Sequence, residues 1–164
     1  MDQQSKDVLP EVRSRVTRLG FELVDLRLRG AGQRRSLQIR IDRPDSEPGR
    51  GVTADDCASV SRDLERWLDE TGVLGGRYVL EVSSPGIERP VRWLEHWKRF
   101  EGRDVRVRLP ERGRVTATIV RAESDNVLVL RPVGGGEEII VSVDEARDAT
   151  LVVNWSEIDR SLAR

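Results

Sequence analysis

Histidine and cysteine are almost missing from this chain of 164 residues, which has one of each, His96 and Cys57. A single cysteine excludes an internal disulfide and fits a reducing compartment. So little imidazole and thiol leaves no stock for a His/Cys metal site, and neither a metal nor another cofactor is expected. Long apolar runs are absent too: stretches such as Ile139 to Val141 end after a few residues, whereas spanning a bilayer takes roughly 20. The first residues, Met1-Asp2-Gln3-Gln4-Ser5-Lys6-Asp7, show neither the basic nor the apolar region of a signal peptide. The reading therefore expects a cytoplasmic protein with no membrane partner. Aromatic residues make up only 4% of the chain, which argues against extended base stacking. What is abundant is charge: 35% of residues are charged and 37% hydrophobic, enough apolar material for packed cores in one domain or two small ones.

The net charge of −1 hides a segregated distribution. Residues 27–43 carry six arginines against Asp42, and residues 89–114 carry nine basic against four acidic side chains. Between and after them, residues 53–70 hold six acids against two arginines, and residues 123–148 hold seven acids against two. Basic and acidic blocks alternate, so a nearly neutral sum conceals strongly charged patches. Lys6 and Lys98 are the only lysines among the 28 basic residues. Arginine's planar fork suits phosphate recognition. A GC-rich genome would also replace lysine by arginine everywhere, so the clustering is more telling than the ratio.

The hydrophobic pattern divides the chain into two modules. Val8, Leu9, Val12, Val16 and Leu19 recur at helical spacing, and Gly20 stops the pattern as a C-terminal cap. Val24, Leu26 and Leu28 alternate with Asp25, Arg27 and Arg29 as a half-buried strand does. Gly30-Ala31-Gly32 makes a turn into Leu37, Ile39 and Ile41, so the polar face of this hairpin displays Arg27, Arg29 and Arg40. Residues 43–51, with Pro44, Pro48 and Gly49, read as a loop. Thr53-Ala54-Asp55-Asp56 reads as a capping box opening a helix whose apolar stripe is Cys57, Val60, Leu64, Trp67 and Leu68, closed by Gly72. On that stripe Cys57 is expected to be buried. Tyr78, Leu80 and Val82 form a third strand. The resulting helix-strand-strand-helix-strand order is an α+β domain, two helices covering one face of a small sheet. Beyond residue 100 only short strands with tight turns follow, at Val105, Val115, Val127, Ile139 and Ala149, with one helical turn at Asp144-Glu145-Ala146. Such a run predicts a small all-β barrel of SH3-like or Sm-like type, closed because a flat sheet would leave long unpaired edges. The domains are set at 1–84 and 100–164, with residues 85–99 an inter-domain turn and an aromatic, basic segment.

Catalytic motifs do not emerge. Ser83 and Ser84 end a strand before Pro85-Gly86, but a serine nucleophile needs a base within hydrogen-bond reach, and only His96 is available. Proline and glycine there fix a bend whose free backbone groups the hydroxyls can satisfy. Neither the P-loop nor the dinucleotide glycine pattern occurs. Trp93 and Trp97, four residues apart, fit a core at the domain junction better than a platform for bases.

Residues 78–90, Tyr-Val-Leu-Glu-Val-Ser-Ser-Pro-Gly-Ile-Glu-Arg-Pro, resemble the signature of the ribosome maturation factor RimP family, usually L-E-V-S-S-P-G-[LI]-[DE]-R-P-L. Gly20-Phe21-Glu22-Leu23-Val24, Leu37-Gln38-Ile39-Arg40-Ile41-Asp42, Gly51-Val52-Thr53-Ala54-Asp55-Asp56-Cys57, Phe100-Glu101-Gly102 and Ala149-Thr150-Leu151 extend the likeness along nearly the whole chain. Glu88 and Val91 stand where aspartate and leucine are commoner, and Ala117 where glycine is. The resemblance implies a KH-type-II-like N-terminal domain followed by an Sm-like barrel. It also implies a non-enzymatic, monomeric assembly factor of the cytoplasm, bound to the precursor of the 30S ribosomal subunit and aiding incorporation of ribosomal protein S12.

On this reading Ser83, Ser84, Pro85, Gly86, Glu88, Arg89 and Pro90 form an inter-domain, partner-binding motif. Arg27, Arg29, Arg34, Arg35, Arg40, Arg103, Arg106 and Arg108 are the candidates to face 16S rRNA phosphates, and Glu137, Glu138 and Glu145 those to face a basic ribosomal protein. The alternatives are a general RNA chaperone acting through the Sm-like barrel, assembled as a ring, and a hydrolase centred on Ser83 or Ser84.

Overall fold

A computed structural model describes residues 3–46 and 50–163, and within the last helix it leaves four side chains undescribed. The elements run α1 (Gln3–Arg18), β1 (Glu22–Arg29), β2 (Arg35–Asp42), α2 (Ala54–Thr71), β3 (Tyr78–Ser83), α3 (Leu94–Arg99), β4 (Asp104–Leu109), β5 (Gly113–Ala122), β6 (Val127–Pro132), β7 (Ile139–Ser142), β8 (Arg147–Leu151) and α4 (Trp155–Leu162). They form an α/β region followed by a mostly antiparallel β region. One compact unit comprises Met1–Pro85 with Ser156–Arg164, the other Gly86–Trp155. Among the described residues no helix is long and apolar enough to cross a membrane.

In the first unit the sheet order is β1-β2-β3, with β1 antiparallel and β3 parallel to β2. The parallel pairing follows from α2, which supplies the crossover that two parallel neighbours require. Val8, Val12 and Val16 on α1 and Val60, Leu64 and Leu68 on α2 are fully buried or nearly so, as are Leu26, Leu37, Ile39 and Ile41 of the sheet. Leu19, expected on the α1 stripe, is exposed, because the helix ends at Arg18 and Gly20 turns the chain away with φ +90°. Arg15 braces the two helices, bonded to Glu11 at 2.8 Å and Asp63 at 3.2 Å and stacked over Trp67. The hairpin between β1 and β2 requires glycine at position 30, where φ is +79° and a Cβ would strike the Arg34 carbonyl oxygen. Both ends of α2 follow the expected chemistry. Asp56 N–H donates to Thr53 Oγ1 at 3.1 Å, the Asp56 carboxylate accepts the Thr53 N–H at 2.9 Å, and Gly72 caps the other end in the left-handed conformation. Residues 47–49 of the predicted loop lie outside the described residues.

The second unit is a five-stranded antiparallel sheet of order β7-β6-β5-β4-β8. Its core joins Val105, Val107, Ile119, Leu128 and Leu130 to Val91 and the completely buried Trp97. Among the described residues no ladder joins β7 to β8, so closure by pairing the terminal strands is not what protects the edges. The chain itself covers one of them. Pro90 bridges Thr150, Val91 N–H donates to Ala149 O at 2.9 Å, and Leu151 N–H donates to Arg89 O at 2.9 Å. The stretch before residue 100 is therefore built into this unit, as an added strand on β8 and as α3 bearing Trp97. Proline tolerates that place because an edge residue can spare its N–H. The single helical turn at residues 144–146 is present, with Ala146 N–H donating to Ser142 O.

Candidate nucleic-acid interface

β4 alternates inward valines with outward arginines, and the ladders on either side decide what stands next to each. Arg108 lies opposite Arg114 of β5 and opposite Arg147 of β8, so three guanidinium side chains form one row across three strands. One step along, Arg106 lies between Thr116 and Thr150. All four arginines of these rows are exposed. Asp148 reaches Arg108 at 2.6 Å and Glu88 reaches Arg106 at 3.6 Å. Like charges directly opposed across strands destabilise a sheet, and one aspartate does not neutralise three arginines. Arg103, the remaining candidate of this unit, is exposed in the turn before β4. Arg147 belongs to a block that reads as acidic in the sequence, and only the β4–β8 register moves it into the basic row.

In the first unit α1 and α2 cover one face of the sheet, and the arginines lie on the opposite one. The register puts Arg27 beside Gln38, Arg29 beside Ser36, and Arg40 between Asp25 and Ser83 on that face. Arg27 donates at 3.0 Å to Asp25, a buried carboxylate that also accepts the Leu26 N–H at 3.0 Å. Arg34 is exposed in a helical turn between β1 and β2. Arg35 does not join the others: strand alternation turns it to the helix side, where its guanidinium donates to Leu74 O at 2.6 Å. The basic block of residues 27–43 is thus two groups with different work.

The motif of residues 83–90 is divided between the units. Ser83 ends β3 and Ser84 is exposed, while Arg89 is buried with its guanidinium 5.2 Å over the Phe100 ring. Gly86 has φ +75°, a conformation that glycine adopts freely. His96 is buried edge-on to Trp93, and its Nδ1 accepts the Arg92 N–H at 3.4 Å. Trp97 is fully buried and offers no face to a nucleic-acid base.

The three candidate acids also separate. Glu145 accepts the Ser142 N–H at 2.8 Å and holds the turn after β7, and Glu138 pairs with Arg131 at 3.2 Å before β7. Of the three, Glu137 alone is exposed without a hydrogen bond or ion pair among the described residues. Cys57, expected to be buried, is half-exposed in a groove beside β3, and desolvation followed by the charge of Asp56 raises its thiol pKa. Burial and the bond to Asp69 raise that of Tyr78. The expectation from the sequence that a KH-type G-x-x-G clamp is missing is corrected on one point, since Gly72-Val73-Leu74-Gly75 has that spacing. Here it closes α2: Gly75 N–H donates to Gly72 O at 2.8 Å and Leu74 is buried. Among the described residues no three of His, Cys, Asp and Glu converge as metal ligands would.

Residues 11–88 match the family model described as the RimP N-terminal domain. This region belongs to the RimP family. In general terms the chain is a ribosome maturation factor of the RimP type. The matched span takes in the second half of α1, the whole of α2 and all three strands of the first unit, and ends at Glu88 within the signature motif. The arginine row on β4, β5 and β8 lies beyond it.

Proposed function

We propose that this RimP-type chain acts by binding the immature 30S subunit, with its exposed arginine faces on phosphates of 16S rRNA, and catalyses no reaction. The observation that carries the reading is the row Arg114–Arg108–Arg147, a standing electrostatic cost to the sheet that a polyanion would relieve. Arg106 and its flanking threonines extend the same surface, and Arg27, Arg29 and Arg40 offer a second, weaker one. Preferring the immature particle over the mature one shifts its folding population, and release follows once that preference vanishes. Incorporation of ribosomal protein S12 is the step we assign to this binding, with Glu137 as the acid free to meet a basic protein.

A ring-forming RNA chaperone is less well supported. Head-to-tail assembly through strand pairing needs two free edges, and Arg89 to Val91 already occupy that of β8. A monomer in size-exclusion chromatography with light scattering is the expected result.

Sedimentation with 30S, 50S and 70S fractions across a salt series tests the proposal. The protein is expected in 30S fractions alone. If about six phosphates are neutralised, affinity falls about 10³-fold or more between 50 and 200 mM salt. Replacing Arg108, Arg114 and Arg147 by alanine should lower the slope of log affinity against log salt by about three. A variant slope equal to that of the wild type overturns the phosphate assignment.

A further inference from the structure

We propose that the groove between α2 and the outer edge of β3 binds an extended, lysine- or arginine-rich peptide as a fourth strand of the first sheet. The inference stands apart from the subunit-binding reading, since neither uses the other's residues. β3 is a terminal strand in the order β1-β2-β3, so a row of its backbone N–H and C=O groups points away from the ladder. Beside it runs a groove of about 560 Å³, lined on the helix by Ala54, Cys57, Ala58 and Ser61 and on the strand by Leu80 and Val82. The helix contributes only small side chains there, which lets another backbone come close.

The apolar surface is also left unsealed on this side. Leu37 and Ile39 of β2 are completely buried, whereas their register partners Leu80 and Val82 are half-exposed. A strand added to β3 would cover them and satisfy the open backbone row, the strand-addition mode of peptide recognition.

Charge selects the occupant. Glu65 follows Ser61 by one turn on the same helical stripe, and Asp69 accepts the Tyr78 hydroxyl at 2.7 Å over the start of β3, whereas Glu81 turns to the opposite face and accepts from Gln38 Nε2 at 3.0 Å. Arg62, the nearest basic residue of the helix, donates to Ser59 on the outer side. Carboxylates along the rim attract basic side chains and repel nucleic-acid phosphates. They also set Gly72–Gly75, at the end of the same helix, in surroundings unsuited to a phosphate clamp.

The experiment uses the full chain with three probes: an alternating lysine–valine peptide, its glutamate–valine counterpart, and single-stranded oligouridylate. Amide exchange at residues 79–83 reports strand addition, and maleimide labelling of Cys57, the only thiol, reports occupancy of the groove. The lysine peptide is expected to slow both. Ser61→Arg and Glu65→Lys, each checked for folding by circular dichroism, should weaken its binding about tenfold. The proposal is overturned by unchanged exchange along β3 with the lysine peptide. Equal protection by the glutamate peptide, protection by oligouridylate instead, or concentration-dependent protection without any probe, which would mark pairing between two copies, overturns it as well.

Discussion

Asp56 shows how one side chain serves two neighbours. Its carboxylate accepts the Thr53 N–H at 2.9 Å and pairs with Arg43 at 2.7 Å, while Arg43 also approaches the Phe21 ring. The backbone bond from Thr53, more than any other contact, holds its pKa below the ordinary carboxylate value. A carboxylate whose folded pKa is lowered contributes stability that is complete above its unfolded pKa and is lost as pH falls through the folded one. The wild type should therefore melt above Asp56→Asn at neutral pH, and the gap should close on acidification below the ordinary carboxylate range. A gap that does not change with pH would show that charge is not the cause. Removing the other half of the box, in Thr53→Ala, costs about 1 kcal/mol of helix stability on the usual scale. Both residues are legible in the sequence, because capping is a matter of positions three apart along the chain. Glu145 is not: its carboxylate reads as part of an acidic surface, yet it accepts the Ser142 N–H inside a turn.

Among the elements, β4 is where local pattern and long-range pairing part company. Its alternation of Val105, Val107 and Leu109 with Arg106 and Arg108 is visible in the sequence, and the burial follows it. Which charges flank those arginines depends on register with β5 and β8, and that brings Arg114 and Arg147 to either side of Arg108. Relieving like-charge opposition across strands is worth roughly 0.2–1 kcal/mol per pair. Arg114→Gln with Arg147→Gln should accordingly leave the melting temperature unchanged or raise it, while 30S binding weakens. A lowered melting temperature would mean that these arginines serve the fold and not a ligand. α2 makes the opposite case: its whole buried stripe, Val60, Leu64 and Leu68, was readable from helical spacing. Cys57 and Trp67 depart, both half-exposed: Trp67 lies under the Arg15 guanidinium, and Cys57 faces the edge strand β3.

Considered as a whole, the molecule closes two separate cores. The second depends on residues that the sequence reading assigned to a connector, since Val91 and Trp97 are buried among Val105, Ile119 and Leu130. Truncating a fully buried tryptophan costs about 3–5 kcal/mol. Trp97→Ala should therefore speed amide exchange throughout β4, β5 and β6 while that of β1 and β2 stays as in the wild type. Equal loss of protection in both sheets would show a single cooperative core. The domain scheme changes accordingly: residues 86–99 join the β unit, and the residues from Ser156 onward group with the first. α4 had a signal in the sequence, Trp155, Ile158 and Leu162 at helical spacing, and it went unread.

By itself the sequence determined the order of α1, α2 and the strands, the caps of α2, the side of each strand that faces a core, and the signature through which the family is known. These are local properties, fixed by hydrogen bonds and side-chain periodicity within a few residues of the chain. Tertiary structure alone decided which charges meet across strands, which edge is covered and which stays open. It also separated the arginines that form a surface from Arg35, which holds a loop. Those depend on pairing between residues tens of positions apart, where burial of the shared core sets the register and the charges follow it.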